Sequence, residues 1–234
     1  MSKKTDNDKN KSQVKGVRKH VKVKTARKRS NASTRWLERQ LNDPYVAEAK
    51  RQGYRSRAAF KIIQMDEELG LFKKGQRVVD LGAAPGGWTQ IAVSKVKPKE
   101  TGGRVVALDY LDMEEIPESI FLKCDFMDDK APDLLINALG GEADIVMSDM
   151  AAPTTGHKTT DHIRIISLVE VAYDFAKQVL APDGIFLAKV FQGGTEGDLL
   201  NVLKKDFKKV KHIKPKSSRS DSAEMYVVGV GFRG

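Results

Sequence analysis

Residues 78–90, VVDLGAAPGGWTQ, decide the fold. Two valines run into Asp80. A glycine loop follows (Gly82, Gly86 and Gly87, with Ala83, Ala84 and Pro85 between), and Trp88 opens a segment that reads as a helix to Val96. Strand, tight glycine loop and helix are the means by which an open α/β sheet brings bare backbone against a ligand. The glycines permit positive φ and carry no Cβ, and the helix N-terminus offers unpaired N–H groups. The spacing is not the dinucleotide pattern GxGxxG, because Ala84 and Pro85 stand where the second glycine admits a pyrophosphate.

Outward from this loop, strands and helices alternate. Apolar strands are expected at 77–81, 104–108, 120–124, 144–147 and 185–190, with helices near 88–96, 130–138 and 162–180. The last helix repeats Ile166, Val169, Tyr173, Ala176 and Leu180 at steps of three and four, a single buried face. Pro182, Asp183 and Gly184 turn the chain into the fifth strand. A helix at 195–206, a basic strand at 207–213 and a closing strand at 225–231 complete the series. Ahead of the sheet, 33–41 and 54–69 read as helices. In the second, Ala59, Ile62, Ile63 and Leu69 form an apolar stripe with Lys61 beside it. Repeated βα units call for an α/β fold, a parallel sheet with helices on both faces.

Charge is unevenly placed. Lys and Arg number 41 against 31 Asp and Glu, a net of +10. Residues 1–30 hold twelve basic side chains and two acidic ones, so the rest of the chain is neutral overall. That segment is nearly free of large apolar residues and has nothing with which to bury a core. Residues 1–32 are therefore expected to be a disordered basic arm that binds a polyanion, and 33–234 a single catalytic domain. The single cysteine, Cys124, excludes a disulfide framework and any cysteine-based zinc site, and in IFLKCDF it reads as a small core residue. His157 and His162 flank Asp161 without a third defined ligand, so no metal is expected. There is no membrane-spanning apolar run and no signal-peptide stretch, and Asp6 and Asp8 argue against a transit peptide. A cytoplasmic monomer without membrane contact is the expectation.

Four successive strands end on an aspartate: Asp80, Asp109, Asp125 and Asp149. In a parallel sheet these carboxylates share the carboxyl edge, where such folds bind ligands. Asp109 suits the two hydroxyls of a ribose, and Asp125 an adenine amino group. With no phosphate clamp, the set favours S-adenosylmethionine over ATP or NAD. Lys189, in FLAKVFQG, lies inside an apolar strand, where an unpaired ammonium is costly. Glu224 heads the last strand. If that strand runs antiparallel to its neighbours, Asp149, Lys189 and Glu224 converge on one edge. Trp88 is expected to pack under the loop and Trp36 in the first helix.

The segments SRAAFK (56–61), VVDLGAAPGGWTQ, ALDY, CDF, VMSDMAAP, AKVFQG and SRSDSAEMYVVGVGF resemble the FtsJ/RrmJ (RlmE) family of ribosomal-RNA ribose 2′-O-methyltransferases, over roughly residues 33–234. The resemblance implies a Rossmann-like, seven-stranded, mostly parallel sheet with its last strand antiparallel, and S-adenosylmethionine as cofactor. It implies a catalytic Lys–Asp–Lys–Glu tetrad at Lys61, Asp149, Lys189 and Glu224. The family's cofactor contacts correspond to Gly86, Trp88, Asp109, Asp125 and Asp149, beside Gly82 and Gly87 of the same loop. Bacterial members methylate a uridine 2′-hydroxyl in the peptidyl-transferase region of large-subunit rRNA, so 23S rRNA in the assembled 50S subunit is the expected partner. The loop at 151–161, AAPTTGHKTTD, is longer than the family's MAPN form, and the arm is longer than a typical member's. A ribose hydroxyl is a weak nucleophile, so positioning carries several kcal/mol of the barrier. In that chemistry Lys189 is the general base or the group that orients the hydroxyl.

A track for an RNA backbone is expected on Lys204, Lys205, Lys208, Lys209, Lys211, Lys214 and Lys216, together with Arg35, Arg39, Arg51, Arg55 and Arg57. Two rival readings are a non-catalytic RNA-binding or ribosome-assembly factor and a nucleotide-linked dehydrogenase. The tetrad argues against the first and the glycine spacing against the second. Deleting residues 1–30 is predicted to weaken RNA binding and flatten its salt dependence while cofactor affinity stays unchanged; filter-binding titrations at several salt concentrations measure both.

Overall fold

The structure is a computed structural model that describes residues 21–23, 25, 30–153, 155–192 and 197–234. Most of the expected arm, and the side chain of Trp36, lie outside the described residues. Helix α1 (Asn31–Asn42) begins within the segment assigned to the arm, because Ser30 caps it: its hydroxyl accepts from the Ser33 N–H at 3.2 Å. Asp43 then starts α2 (Pro44–Gln52), its Oδ1 accepting from the Tyr45 N–H at 3.0 Å with proline in the first turn. The apolar pattern predicts no helix here, since α2 buries only Ala49, although the Asp-Pro start and the Gly53 stop are helix signals. Helix α3 (Ala59–Leu69) starts later than the pattern predicts. Residues 55–58 are instead tied as a turn, with the Arg55 N–H on Gln90 Oε1 (2.8 Å) and its guanidinium on the carbonyls of Glu114 and Glu115.

The remaining elements alternate: β1 (Arg77–Leu81), α4 (Gly87–Val96), a single turn α5 (Pro98–Thr101), β2 (Arg104–Asp109), β3 (Ile120–Lys123), α6 (Ala131–Leu139), β4 (Ala143–Ser148), α7 (Lys158–Val179), β5 (Leu180–Phe191), α8 (Gly197–Asp206), β6 (Phe207–Ile213) and β7 (Glu224–Phe232). The predicted turn at Pro182–Gly184 lies inside β5 as a bulge. Leu180 pairs with Ala143 and Ile185 with Ile145, so residues 181–184 bow out opposite one residue of β4. The seven strands form one sheet in the order β3-β2-β1-β4-β5-β7-β6. Neighbours are parallel except β7, which runs antiparallel to both β5 and β6.

Both faces of the sheet are covered, which is why its strands read as apolar runs. Successive side chains point to opposite faces. Val79, Val106, Val146, Phe186 and Val227 pack with α6, α7 and α8, while Val78, Val105, Ile145, Leu187 and Val228 pack with α3 and α4. Cys124 is buried in the first of these layers.

The same alternation corrects the reading of Asp80. It stands one residue short of the end of β1 and shares its face with Val78, so it turns beneath α4 instead of into the space above the strand ends. It is fully buried: Oδ2 accepts from Thr89 Oγ1 at 2.6 Å, and Oδ1 has no partner among the described residues. Burial pushes its carboxyl up to about 7, against the hydrogen bond from Thr89 and with the charges of Asp149 and Asp109 adding to the rise. The folded chain therefore keeps a proton that the unfolded chain loses near pH ~4, and stability falls as pH rises from about 4 to about 7. A difference of this size corresponds to about 4 kcal/mol. Asp80→Asn removes that slope. Its unfolding free energy relative to wild type, from urea denaturation, should climb across this window by up to that amount and level off above it; a pH-independent difference would contradict the assignment.

Candidate active site

Strands β2 and β3 lie on one side of β1, and β5 lies beyond β4, so the chain reverses its direction of travel across the sheet between β1 and β4. Open α/β sheets bind ligands outside the carboxyl ends at such a point. Here a cleft of about 380 Å³ opens, with Gly82, Asp109, Asp125 and Asp149 in its lining and apolar walls from Leu108, Leu111, Phe126 and Leu168. Gly82 adopts φ 75°, and a Cβ there would lie 2.9 Å from the Met150 backbone, so the loops after β1 and β4 touch only because no side chain intervenes. Asp109 is held rigidly, Oδ2 accepting from the Ala84 N–H (2.9 Å) and Oδ1 from the Leu111 N–H (2.8 Å). Asp125 Oδ1 accepts from the Met127 N–H at 3.0 Å. Each of these carboxylates retains acceptor capacity for ligand hydroxyl or amino groups. Three acids among apolar walls suit a ligand with a ribose, an aromatic base and a positive charge, and they repel a phosphate.

Gly86, Gly87 and Trp88 do not line this cleft. A Cβ on Gly86 would lie 2.7 Å from Ile116 Cδ1, and one on Gly87 would strike Ser56. Trp88 is buried, its Nε1 donating to the Ala58 carbonyl at 2.9 Å and its ring packed on Tyr226 at 5.5 Å. Gly86 thus packs against Ile116 and Met113, while Gly87 and Trp88 face the turn before α3 and hold the start of α4 close to it.

An unbroken chain of polar contacts runs along the same edge of the sheet. Because β7 is antiparallel, its first residue Glu224 lies opposite Phe191 at the end of β5, and Tyr226 lies opposite Lys189. Alternation puts Lys189 and Tyr226 on the face covered by α3, where Lys61 occupies the first turn. Glu224 Oε1 is 2.6 Å from Lys61 Nζ, which donates to Tyr226 Oη at 3.0 Å. Tyr226 Oη donates to Asp149 Oδ1 at 2.9 Å. Lys189 Nζ donates to the same oxygen at 3.0 Å and to the Asp149 carbonyl at 2.5 Å. Ser218 Oγ steadies Glu224 Oε1 from outside at 3.1 Å. Lys61, Asp149, Lys189 and Glu224 are thus brought together, and the residue that links them, Tyr226, was missed from the sequence. Its signal is the Glu-x-Tyr spacing, which at the strand period of two puts both side chains on one face.

The protonation states follow from the contacts. Burial pushes the Asp149 carboxyl up, but Lys189 and Lys61, with the hydrogen bonds from Lys189 and Tyr226, outweigh it, and the net displacement is below the ordinary carboxylate value. Burial first, then the charges of Asp149 and Glu224, hold the Tyr226 phenol well above its usual value. At neutral pH Asp149 is therefore ionised and Tyr226 protonated. The chain has a separate opening at each end: Asp149 faces the acidic cleft, while Lys61 and Glu224 line a second hollow of about 190 Å³ with Gln40, Arg57 and Arg219.

Much of the expected basic track is engaged within the protein. Arg51 pairs with Glu48, Lys208 with Asp183, Lys211 with Glu68 (3.3 Å) and Arg57 with Asp43 (2.7 Å). Lys214 donates to the Ser222 carbonyl at 2.8 Å, and Arg55 holds the carbonyls of Glu114 and Glu115. Asp161 turns to the N–H groups of Thr155 (2.6 Å) and Gly156 (3.2 Å), capping the loop before α7. Among the described residues no helix is long and apolar enough to cross a membrane.

Tyr226→Phe deletes the hydroxyl that accepts from Lys61 and donates to Asp149. A loss of about 1–3 kcal/mol in unfolding free energy is expected, since each of two charged, half-buried partners loses a hydrogen bond. A double-mutant cycle with Lys61→Met should show coupling; strictly additive losses would mean that the link contributes nothing.

The family model of FtsJ-like methyltransferases matches residues 54–232. The Azorhizobium caulinodans protein named ribosomal RNA large subunit methyltransferase E is 61% identical over 214 residues, covering 92% of this chain and 89% of that protein. The Paramagnetospirillum magneticum protein of the same name is 65% identical over 217 residues, with 92% and 88% covered. Among solved structures, a Plasmodium falciparum protein described as a ribosomal RNA methyltransferase superposes with a TM-score of 0.68 at 29% identity, covering 77% of this chain and 100% of that one. On these matches, and on the fold that carries them, the chain belongs to the FtsJ-like methyltransferase family.

Proposed function

We propose that this protein transfers a methyl group from S-adenosylmethionine to the 2′-hydroxyl of a uridine ribose in 23S rRNA, acting on the assembled 50S subunit. The observation that carries the reading is the contact chain Glu224–Lys61–Tyr226–Asp149–Lys189, which joins an acidic cleft to a second opening. Two relatives 61% and 65% identical, both named ribosomal RNA large subunit methyltransferase E, support the choice of acceptor.

Asp109 and Asp125, with the open backbone after Gly82, would hold the cofactor's adenosine, and Asp149 would face its charged end. Gly87 and Trp88 keep that backbone in place through their packing on the turn before α3. The bound cofactor supplies a methyl group on a sulfonium sulfur, an electrophile that needs no acid assistance. The protein has to present a ribose oxygen in line with that methyl and dispose of one proton. Positioning of this kind is worth on the order of 7–11 kcal/mol when the reacting atoms are held in near-attack geometry.

Asp149, held ionised, and Tyr226, held protonated, fix the two lysines and take no part as proton acceptors. Lys189 directs two hydrogen bonds at Asp149, which leaves one position on its nitrogen for the hydroxyl. As a neutral amine it accepts the proton there; as an ammonium it donates to the oxygen and the proton leaves to water. Lys61, fixed by Glu224 and Tyr226, lines the acceptor's opening. A protein that only binds RNA has no use for four buried or half-buried charges, since an apolar packing of the same volume is as stable or more so.

Lys189→Ala is predicted to lower methyl transfer by about 10²–10⁴-fold. Transfer is read with tritiated cofactor on unmethylated large subunits, followed by mapping of the modified nucleotide, and calorimetry should show unchanged cofactor affinity. Methylation on a base atom, or a variant that no longer binds cofactor, would overturn the assignment.

A further inference from the structure

A second groove, of about 540 Å³, lies between α1, α2 and the loop joining β6 to β7. Arg39, Arg57, Lys216 and Arg219 line it, against the acids Asp43 and Asp221. Arg57 and Arg219 also line the opening onto Lys61 and Glu224, so groove and opening form one path to the catalytic edge.

The interior of this groove is built around Asp43. That buried carboxylate caps α2 and gathers two guanidiniums, Arg57 at 2.7 Å and Arg219 at 3.3 Å. Two arginines on one carboxylate leave a net positive charge, and their forked donors are held in place before any ligand arrives. Arg57 also donates to the Ser217 carbonyl. The hydroxyl of Ser217, a fully buried residue of the groove wall, has no partner among the described residues. Arg39 and Lys216 are exposed, and neither forms an ion pair or hydrogen bond among the described residues. Forked and pointlike cations beside an unmet hydroxyl match the oxygens of a phosphodiester.

Chain continuity points the same way. The Val21 backbone N–H donates to the Asn42 side chain at 2.8 Å and its carbonyl accepts from it at 3.0 Å. Asn42 lines the groove, so the basic N-terminal segment joins the body at its edge.

We propose that this groove binds the sugar–phosphate backbone of the RNA strand beside the ribose being methylated, with Arg39, Lys216 and Arg219 on phosphate oxygens. The proposal rests on the reading of the protein as an RNA ribose methyltransferase and names where its substrate strand is held. Contacts of this type set the register of a strand without reading its sequence.

The test is the full-length Arg39→Glu/Lys216→Glu variant, compared with Lys73→Glu/Lys74→Glu, an equal charge change between α3 and β1, at the opposite edge of the sheet. With large ribosomal subunits as substrate, the particle concentration giving half-maximal methyl transfer should rise about tenfold or more in the groove variant. Its salt slope should fall by about 1.4–1.8, or ~0.7–0.9 for each phosphate that is no longer neutralised. The rate at saturating particles and the affinity for S-adenosylmethionine should stay at wild-type values, and the Lys73/Lys74 pair should leave every readout unchanged. An unaltered half-maximal concentration, an equal loss in the Lys73/Lys74 pair, or reduced cofactor affinity overturns the proposal. If the wild type transfers no methyl to the particles, the functional reading fails; the groove then stands or falls on whether the variant loses co-sedimentation with them. A benzophenone on Ser220→Cys should capture rRNA, and capture of ribosomal protein alone would also overturn the proposal.

Discussion

The amine of Lys189 sits in an apolar strand at 7% exposure, and an ammonium there is tolerated only with partners on its own face of the sheet. Asp149 meets it from the loop after β4, and Tyr226 lies opposite it on β7. Taking an ion out of water costs several kcal/mol, and removing one partner from a buried pair costs about 3–5 kcal/mol. The contacts are therefore a unit, and Lys61 and Glu224 extend it to the second opening. None of its members stays satisfied without the next.

Strand direction makes that unit possible. A parallel β7 would start at the opposite edge of the sheet and carry Glu224 away from Asp149. Running antiparallel, β7 brings its first residues to the edge where β4 and β5 finish. The glycine loop contributes in a way that its resemblance to a ligand loop conceals. The space at Gly87 and the indole of Trp88 weld the start of α4 to the turn before α3, which fixes Lys61 relative to the cleft. The same loop thus frames the cleft on one side and holds a site lysine on the other.

Charge is sorted on either side of this edge. Acids line the cleft, and arginines organised by Asp43 line the groove that leads to Lys61. Such a division favours a cationic ligand on one side and a polyanion on the other, and it raises the local concentration of each. Ion pairs inside the body consume many of the basic residues that, counted along the chain, promise a continuous track. What counts for a partner is the set left unpaired, and in the groove beside the catalytic edge that set is Arg39 and Lys216.

Local patterns carried a good part of this in the chain itself. The apolar strand runs, the period-three-to-four helices, the glycine loop and the aspartates at 109, 125 and 149 are short-range features, legible wherever they occur. Lys189 announced itself by being charged among apolar neighbours. Asp80 misled because its parity, not its position near a strand end, decides which way it points. Helix α2 hid because it buries too little to leave a stripe. Tyr226 passed unremarked, since nothing in its own strand shows what lies across from it. The decisive contacts join residues far apart, Lys189 to Asp149 across 40 positions and Lys61 to Tyr226 across 165. Sequence periodicity determined which residues share a face; only the tertiary structure decided which partner each face meets, because hydrogen bonds and ion pairs depend on distance in space and the chain records distance along itself.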